Sequence, residues 1–185
     1  MIRQDETLSS DPGMKILLTG MMGCGKSSTS RILGQQLGMP VLDLDSRIEH
    51  LTQMTIPMIF SHHGEVGFRE LEYQELGRIL NWPGRAIIAL GGGAICQERN
   101  RAIIVPPHVT IYLRCDVELL VARLESSRAQ RPLLTTGVSD LRDRIVQLMG
   151  ERQQWYEQAD VVIDVHTDGR HLYSLRQWIR SLDRS

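Results

Sequence analysis

Gly20-Met21-Met22-Gly23-Cys24-Gly25-Lys26-Ser27 follows directly on the apolar run Lys15 to Thr19 and opens into a helical pattern from Lys26 to Leu37. The stretch fits GxxxxGK followed by Ser or Thr, in the strand–loop–helix setting that a phosphate-binding loop requires. Glycines let the backbone turn so that successive N–H groups converge on phosphate oxygens, and the new helix adds its positive N-terminal end. Lys26 then reaches the β- and γ-phosphates of a nucleotide, and the Ser27 hydroxyl is a ligand for Mg²⁺. Only two of the 21 basic residues are lysines, Lys15 and Lys26, yet the loop carries Lys, the compact point charge such a loop uses.

Outward from the loop, short apolar runs alternate with longer helical patterns. The runs Lys15 to Thr19, Pro40 to Leu44, Ala86 to Leu90, Val109 to Leu113 and Val161 to Val165 predict five buried strands. Helices are predicted over Lys26 to Leu37, Thr55 to Ser61, Glu65 to Leu80, Glu98 to Ile104, Val117 to Ser126, Asp140 to Gln158 and His171 to Leu182. Strands apolar almost throughout and separated by helices predict an α/β fold: a three-layer α/β/α sandwich around a five-stranded parallel sheet. At 185 residues, 42% of them apolar, the chain suits one domain with a real core, residues 14–185, preceded by a frayed polar tail, residues 1–13. The irregular stretch at about 126–139 is expected to be a mobile lid.

Bulk chemistry narrows the partners. A net charge of −1 supplies no positive field for nucleic acid or an anionic membrane. The three cysteines, Cys24, Cys96 and Cys115, have neither CxxC nor metal-ligand spacing and point to a reducing cytosol. No run is long and apolar enough to be a membrane span. The NKxD signature that reads guanine is absent; Asn81 and Asn100 sit in unrelated contexts, which disfavours a GTPase. His62 and His63 lack a partner at metal spacing and read as surface residues. Trp82, Trp155 and Trp178 read as packing residues, and Cys24 lies where the backbone does the binding.

An acceptor side is also legible. A period of two in Val41-Leu42-Asp43-Leu44-Asp45 puts Asp43 and Asp45 on one side of a strand at its C-terminal end, where ligands bind in open α/β sheets. One carboxylate near the metal and one near an acceptor hydroxyl suits phosphoryl transfer. Capping of a helix starting at Ser46 is the alternative role for Asp45. In Phe68-Arg69-Glu70-Leu71-Glu72, Arg69 and Glu72 share a helix face at i, i+3, so Glu72 can orient a guanidinium whose planar fork receives an acid. Gly91-Gly92-Gly93 after a buried run suggests close approach of backbone to a ligand. Arg131, with Arg128 as competitor, is a cation on the lid stretch that could close over phosphates, although the residues alone leave open any of the five arginines from Arg114 to Arg142, or none.

Together these residues resemble shikimate kinase. GMMGCGKSS, LDLD, FRELE, ALGGGA, RPLL and ERQQWY occur in the family's order and at about its spacing, spanning Met14 to about Asp168. The resemblance implies a P-loop kinase of the nucleoside-monophosphate-kinase type that moves the γ-phosphate of ATP to the 3-hydroxyl of shikimate. It implies that Gly23, Cys24, Gly25, Lys26, Ser27, Ser28 and the lid residue Arg131 hold ATP, and that Asp45, Arg69, Gly92 and Arg152 bind shikimate. Ser27 and Asp43 would serve Mg²⁺, Asp43 through water, and Lys26, Asp45 and Arg131 would carry catalysis. Ser28 stands where many members have Thr, and Gln153 and Gln154 where Pro is frequent. For the adenine, Arg123 and Arg170 offer only loose matches. A cytoplasmic monomer acting on shikimate and ATP, without nucleic acid or membrane, is the resulting expectation. Rival readings are a related kinase for gluconate or a nucleoside monophosphate, and a nucleotide-binding regulatory module without turnover. An acceptor panel separates the kinases, and ATP binding without product formation would mark the module.

Overall fold

The computed structural model describes residues 13–126 and 141–182. At its centre lies β1 (Lys15–Thr19), buried along its whole length. Such a strand has neighbours on both edges and helices on both faces, which is why KILLT reads as a run rather than an alternation. On one side β1 pairs with β3 (Ala86–Ala89), Leu17 opposite Ile88; on the other it pairs with β4 (Val109–Arg114), Leu17 opposite Thr110. The outer strands are β2 (Val41–Asp43) beside β3 and β5 (Val161–Asp164) beside β4, and every pairing is parallel. The order β2-β3-β1-β4-β5 sends the chain left and then right of β1. The rim above the end of β1 is therefore the switch point where such sheets bind ligands.

Seven α-helices occupy the described residues: α1 (Lys26–Leu37), α2 (Leu44–Thr52), α3 (Ile56–Leu80), α4 (Glu98–Ile103), α5 (Val117–Ser126), α6 (Leu141–Tyr156) and α7 (Arg170–Ser181). Alternate residues of β1 feed two cores. Ile16 and Leu18 join Leu33 of α1, Leu120 of α5, Ile145 of α6 and Leu175 of α7. Leu17 joins Ile48 of α2 and Phe68, Leu76 and Ile79 of α3. This is the expected three-layer α/β/α fold with five parallel strands. The two helices expected at Thr55 to Ser61 and Glu65 to Leu80 form α3, broken at Gly64, whose φ of 66° is outside the helical range.

One expectation is corrected. Asp43 and Asp45 do not share a strand face, because β2 ends at Asp43 and α2 starts at once. Asp43 is the N-cap, its carboxylate accepting from the Ser46 amide at 3.2 Å, and Asp45 stands in the first helical turn. The helix that seemed to begin at Ser46 under Asp45 begins two residues earlier under Asp43, because a carboxylate at the strand end satisfies an otherwise unpaired helical N–H.

The amino rim of the sheet is tied by Lys15. Its side chain is fully buried, and Nζ donates to the carbonyls of Gly13 (3.1 Å), Trp82 (2.7 Å) and Gly84 (2.7 Å). An ammonium in such a place is tolerable because its three donors meet three backbone acceptors. The Lys15 amide donates to Nδ1 of His108 at 3.2 Å. Nearby, the Thr110 amide and hydroxyl both donate to Asp160 at 2.7 Å, joining the starts of β4 and β5.

Candidate active site at the carboxyl rim of the sheet

The glycine loop leaves β1 at Gly20, with φ of 138°, where a Cβ would lie 2.8 Å from the Leu113 carbonyl oxygen. It ends at Gly25, with φ of 102°, which is the N-cap of α1. Both positions exclude ordinary side chains, by space or by backbone, so the loop's shape follows from its spelling. Lys26 folds over the loop, Nζ donating to the carbonyls of Gly20 (2.8 Å) and Met21 (3.2 Å). Arg123 of α5 buttresses the outside, its guanidinium donating to the carbonyls of Gly23 (3.3 Å) and Cys24 (3.1 Å). The Cys24 side chain is buried, leaving its backbone to the loop, and Ser28 is exposed on the first turn of α1.

Ser27 and Asp43 meet across the rim, the Ser27 hydroxyl donating to Asp43 Oδ2 at 2.6 Å. A hydroxyl and a carboxylate are hard oxygen donors, and Mg²⁺ bound with a nucleotide needs few protein ligands because phosphate oxygens and water complete its shell. The donor set therefore fits that ion. Among the described residues no cluster of three or more His, Cys, Asp or Glu could hold a metal without such help.

The acceptor half of the rim is built on α3 and the triple glycine. Arg69 Nη1 donates to both carboxylate oxygens of Glu72, at 3.1 and 3.0 Å, while Nη2 reaches Glu65 at 3.3 Å. The Glu72 side chain is almost wholly buried. Burial pushes its carboxyl upward from the ordinary range, and the neighbouring Arg69 charge pulls against that shift. The Asp45 carboxyl is also raised, first by burial, then by the Asp43 charge, with Lys26 and Arg69 opposing.

None of Gly91, Gly92 and Gly93 has a positive φ, and at Gly91 and Gly93 it is space that excludes a side chain. A Cβ on Gly91 would sit 2.6 Å from Asp45 Oδ1, and one on Gly93 2.8 Å from Arg69 Nη2. At Gly92 the nearest atoms are the Met22 amide nitrogen of the phosphate loop, 3.5 Å away, and Arg152 Nη1, 3.9 Å away. The three glycines thus touch, in turn, an aspartate, the phosphate loop together with one arginine, and a second arginine. From α6, Tyr156 donates its hydroxyl to the Gly92 carbonyl at 2.5 Å and stacks on Tyr112 of β4, ring centroids 5.1 Å apart. Trp155 takes the Arg101 guanidinium over its ring, 3.9 Å from the centroid.

The rim therefore gathers Gly23, Cys24, Gly25, Lys26, Ser27, Asp43, Asp45, Arg69, Gly92 and Arg152 from five separate segments. Arg131 lies outside the described residues, as do Arg128, most of the expected lid and all but the last residue of the expected tail. Arg170 pairs with Asp168 at 3.2 Å on the surface. His62 and His63 are exposed as expected. Three supporting contacts are not foreseen from sequence: Arg123, weighed there only for the adenine, behind the loop, Tyr156 on Gly92, and the buried Asn100 on Glu72. Tyr156 had a signal, since it lies four residues beyond Arg152 and shares its helix face.

Known proteins give the same picture. The family model described as shikimate kinase matches residues 22–182. A shikimate kinase from Nitrobacter winogradskyi is 41% identical over 151 residues, covering 82% of this chain and 69% of its own. One from Bradyrhizobium diazoefficiens is 39% identical over 158 residues, covering 85% and 74%. A solved structure, the shikimate kinase of Acinetobacter baumannii in complex with shikimate, superposes with a TM-score of 0.79 at 35% identity, covering 91% of both chains.

Proposed function

This chain belongs to the shikimate kinase family, and we propose on that premise that it transfers the γ-phosphoryl group of ATP to the 3-hydroxyl of shikimate. The observation that supports the reading best is the run of three glycines. It sets an oriented arginine, a second arginine and a half-buried aspartate directly beside the phosphate loop. A nucleotide phosphate and a small hydroxylated acid are the two ligands such a rim suits.

In this reading the amides from Gly23 to Ser28 and the positive end of α1 receive the phosphates, and Lys26 turns from its loop carbonyls toward the β- and γ-oxygens. Arg131, from the stretch outside the described residues, adds charge over them. Arg69, held by Glu72, and Arg152 bind the carboxylate of shikimate, Gly92 lets the ring approach, and Asp45 takes the 3-hydroxyl. A carboxyl raised by burial and by Asp43 is a better proton acceptor than an ordinary aspartate, which suits orienting and deprotonating an attacking hydroxyl. The transition state of phosphoryl transfer is loose, so positioning outweighs base strength. Ser27, and Asp43 through water, would hold Mg²⁺, which when bound would supply neutralisation of phosphate charge. The enzyme works as a monomer in the cytoplasm.

An acceptor panel tests this. Purified protein with ATP and Mg²⁺ is expected to release ADP in saturable dependence on shikimate. Release driven by gluconate or a nucleoside monophosphate instead would overturn the acceptor, and ATP binding without any release would mark a module that lacks turnover.

A further inference from the structure

Asn100 lies on α4, eight residues from Gly92 in sequence, and its side chain is fully buried. Its amide nitrogen donates twice: to Glu72 Oε2 at 3.2 Å and to the Ala94 carbonyl at 2.9 Å. These contacts end on different halves of the acceptor site. Glu72 is the carboxylate that grips Arg69, and Ala94 opens the short 3₁₀ turn that follows Gly93. One buried amide thus joins the arginine of α3 to the loop whose glycines touch Asp45, Arg152 and Arg69.

The place suits an uncharged donor: only the nitrogen of the Asn100 amide is used, and its buried Oδ1 meets no hydrogen-bond partner among the described residues. Glu72 is buried and already accepts from Arg69, so a second donor without charge satisfies another lone pair and leaves the local charge balance alone. A lysine would compete with Arg69 for the carboxylate, and an aspartate would face it with like charge. The α3–α4 clamp is completed outside by Arg99, which donates to Glu70 (2.7 Å) and to the Arg69 carbonyl (2.5 Å), and stacks over Tyr73 with its guanidinium carbon 4.6 Å from the ring centroid. Arg99 holds the backbone of residue 69, whereas Asn100 holds the carboxylate that aims its side chain.

We propose that Asn100 is a positioning residue for the acid substrate: through Glu72 it fixes the direction of Arg69, and through Ala94 it fixes the glycine loop against that arginine. The proposal rests on Arg69 being the carboxylate receptor. Its prediction is selective, because Asn100 touches nothing of the phosphate loop in the contacts described. Loss of its amide disturbs the acceptor half and leaves the nucleotide half in place.

Asn100→Asp keeps the shape and replaces the donor by a like charge 3.2 Å from Glu72; Asn100→Ser shortens the side chain without adding charge. Both are purified and compared with the parent for shikimate KM, ATP KM, kcat and melting temperature. The expected result is a rise of about tenfold or more in shikimate KM for Asn100→Asp and a smaller rise for Asn100→Ser. ATP KM should stay within about twofold and kcat fall less than the shikimate KM rises. The parent's own shikimate dependence in the same assay separates failure of this proposal from failure of the substrate assignment. Shikimate KM within twofold of the parent in a folded Asn100→Asp protein, or equal losses for both substrates, would overturn it. So would failure of both variants to fold, which would assign Asn100 to the fold and not to the site.

Discussion

The two lysines of this chain stand at opposite ends of one strand and do opposite work. Lys15 opens β1 at the amino rim, fully buried, its three donors placed on carbonyls of Gly13, Trp82 and Gly84. Lys26 follows β1 at the carboxyl rim, half-buried, its Nζ on two carbonyls of its own loop. The first amine is anchored to segments nearly seventy residues away and has no reason to move. The second is held, among the described residues, by its own loop two to six residues back, an anchorage that a phosphate can replace. A parallel sheet has two unlike rims, and here one is spent on holding the fold together and the other on chemistry.

That contrast can be broken at four places. Lys26→Ala is expected to lower kcat by at least about 10³-fold, some 4 kcal/mol of transition-state stabilisation. Its melting temperature should stay within a few degrees of the parent, and coupled ADP-release kinetics with a thermal scan checks both. Lys15→Met does the reverse. Stranding buried carbonyls should cost about 3 kcal/mol of stability, read as a urea midpoint shift, with kcat of the remaining folded protein within about twofold. If Lys15→Met lost turnover while keeping its stability, the division between the rims would be wrong.

Arg69→Lys keeps the charge but loses the planar fork, and about a tenfold rise in shikimate KM with ATP KM unchanged is the expected kinetic pattern. The smallest effect belongs to His108 at the amino rim, where burial and then Lys15 hold the imidazole below its usual range. Unfolding lets this histidine bind a proton more readily, so the stability it contributes is present above the unfolded-state value and is lost as pH falls through and below about 6.5. Melting curves of the parent and of His108→Asn, recorded between pH 7.5 and 5.5, should therefore converge by about 2 °C at the acid end. Divergence would give the wrong sign.

The same division explains what was legible beforehand. KILLT, GMMGCGKS and the glycine triplet are local signals: a run, a spelling and a spacing state what the backbone does there, and the sheet and loop follow. Asp43 and Asp45 both lie at the carboxyl rim, but not on one strand face, since β2 ends at Asp43 and Asp45 belongs to the first turn of α2. The competition between extending β2 and starting α2 is settled by a cap at Ser46 and a contact with Ser27, sixteen residues back. Lys15 read as one more residue of a buried strand, since nothing near it announces Trp82 and Gly84. Asn100 read as an asparagine out of context because Glu72 is 28 residues away. Local patterning reveals the loops and turns of the rim more readily than the distant contacts that hold them in place.

The most direct test of the whole account is the position of the new phosphate. Protein, Mg²⁺, ATP and shikimate incubated to completion and followed by phosphorus NMR should show one new monoester resonance, coupled to the proton on ring carbon 3, with one ADP formed per shikimate consumed. A resonance coupled to another ring carbon, or ATP consumed without any phosphorylated acid, would contradict the alignment of that hydroxyl with the phosphate loop.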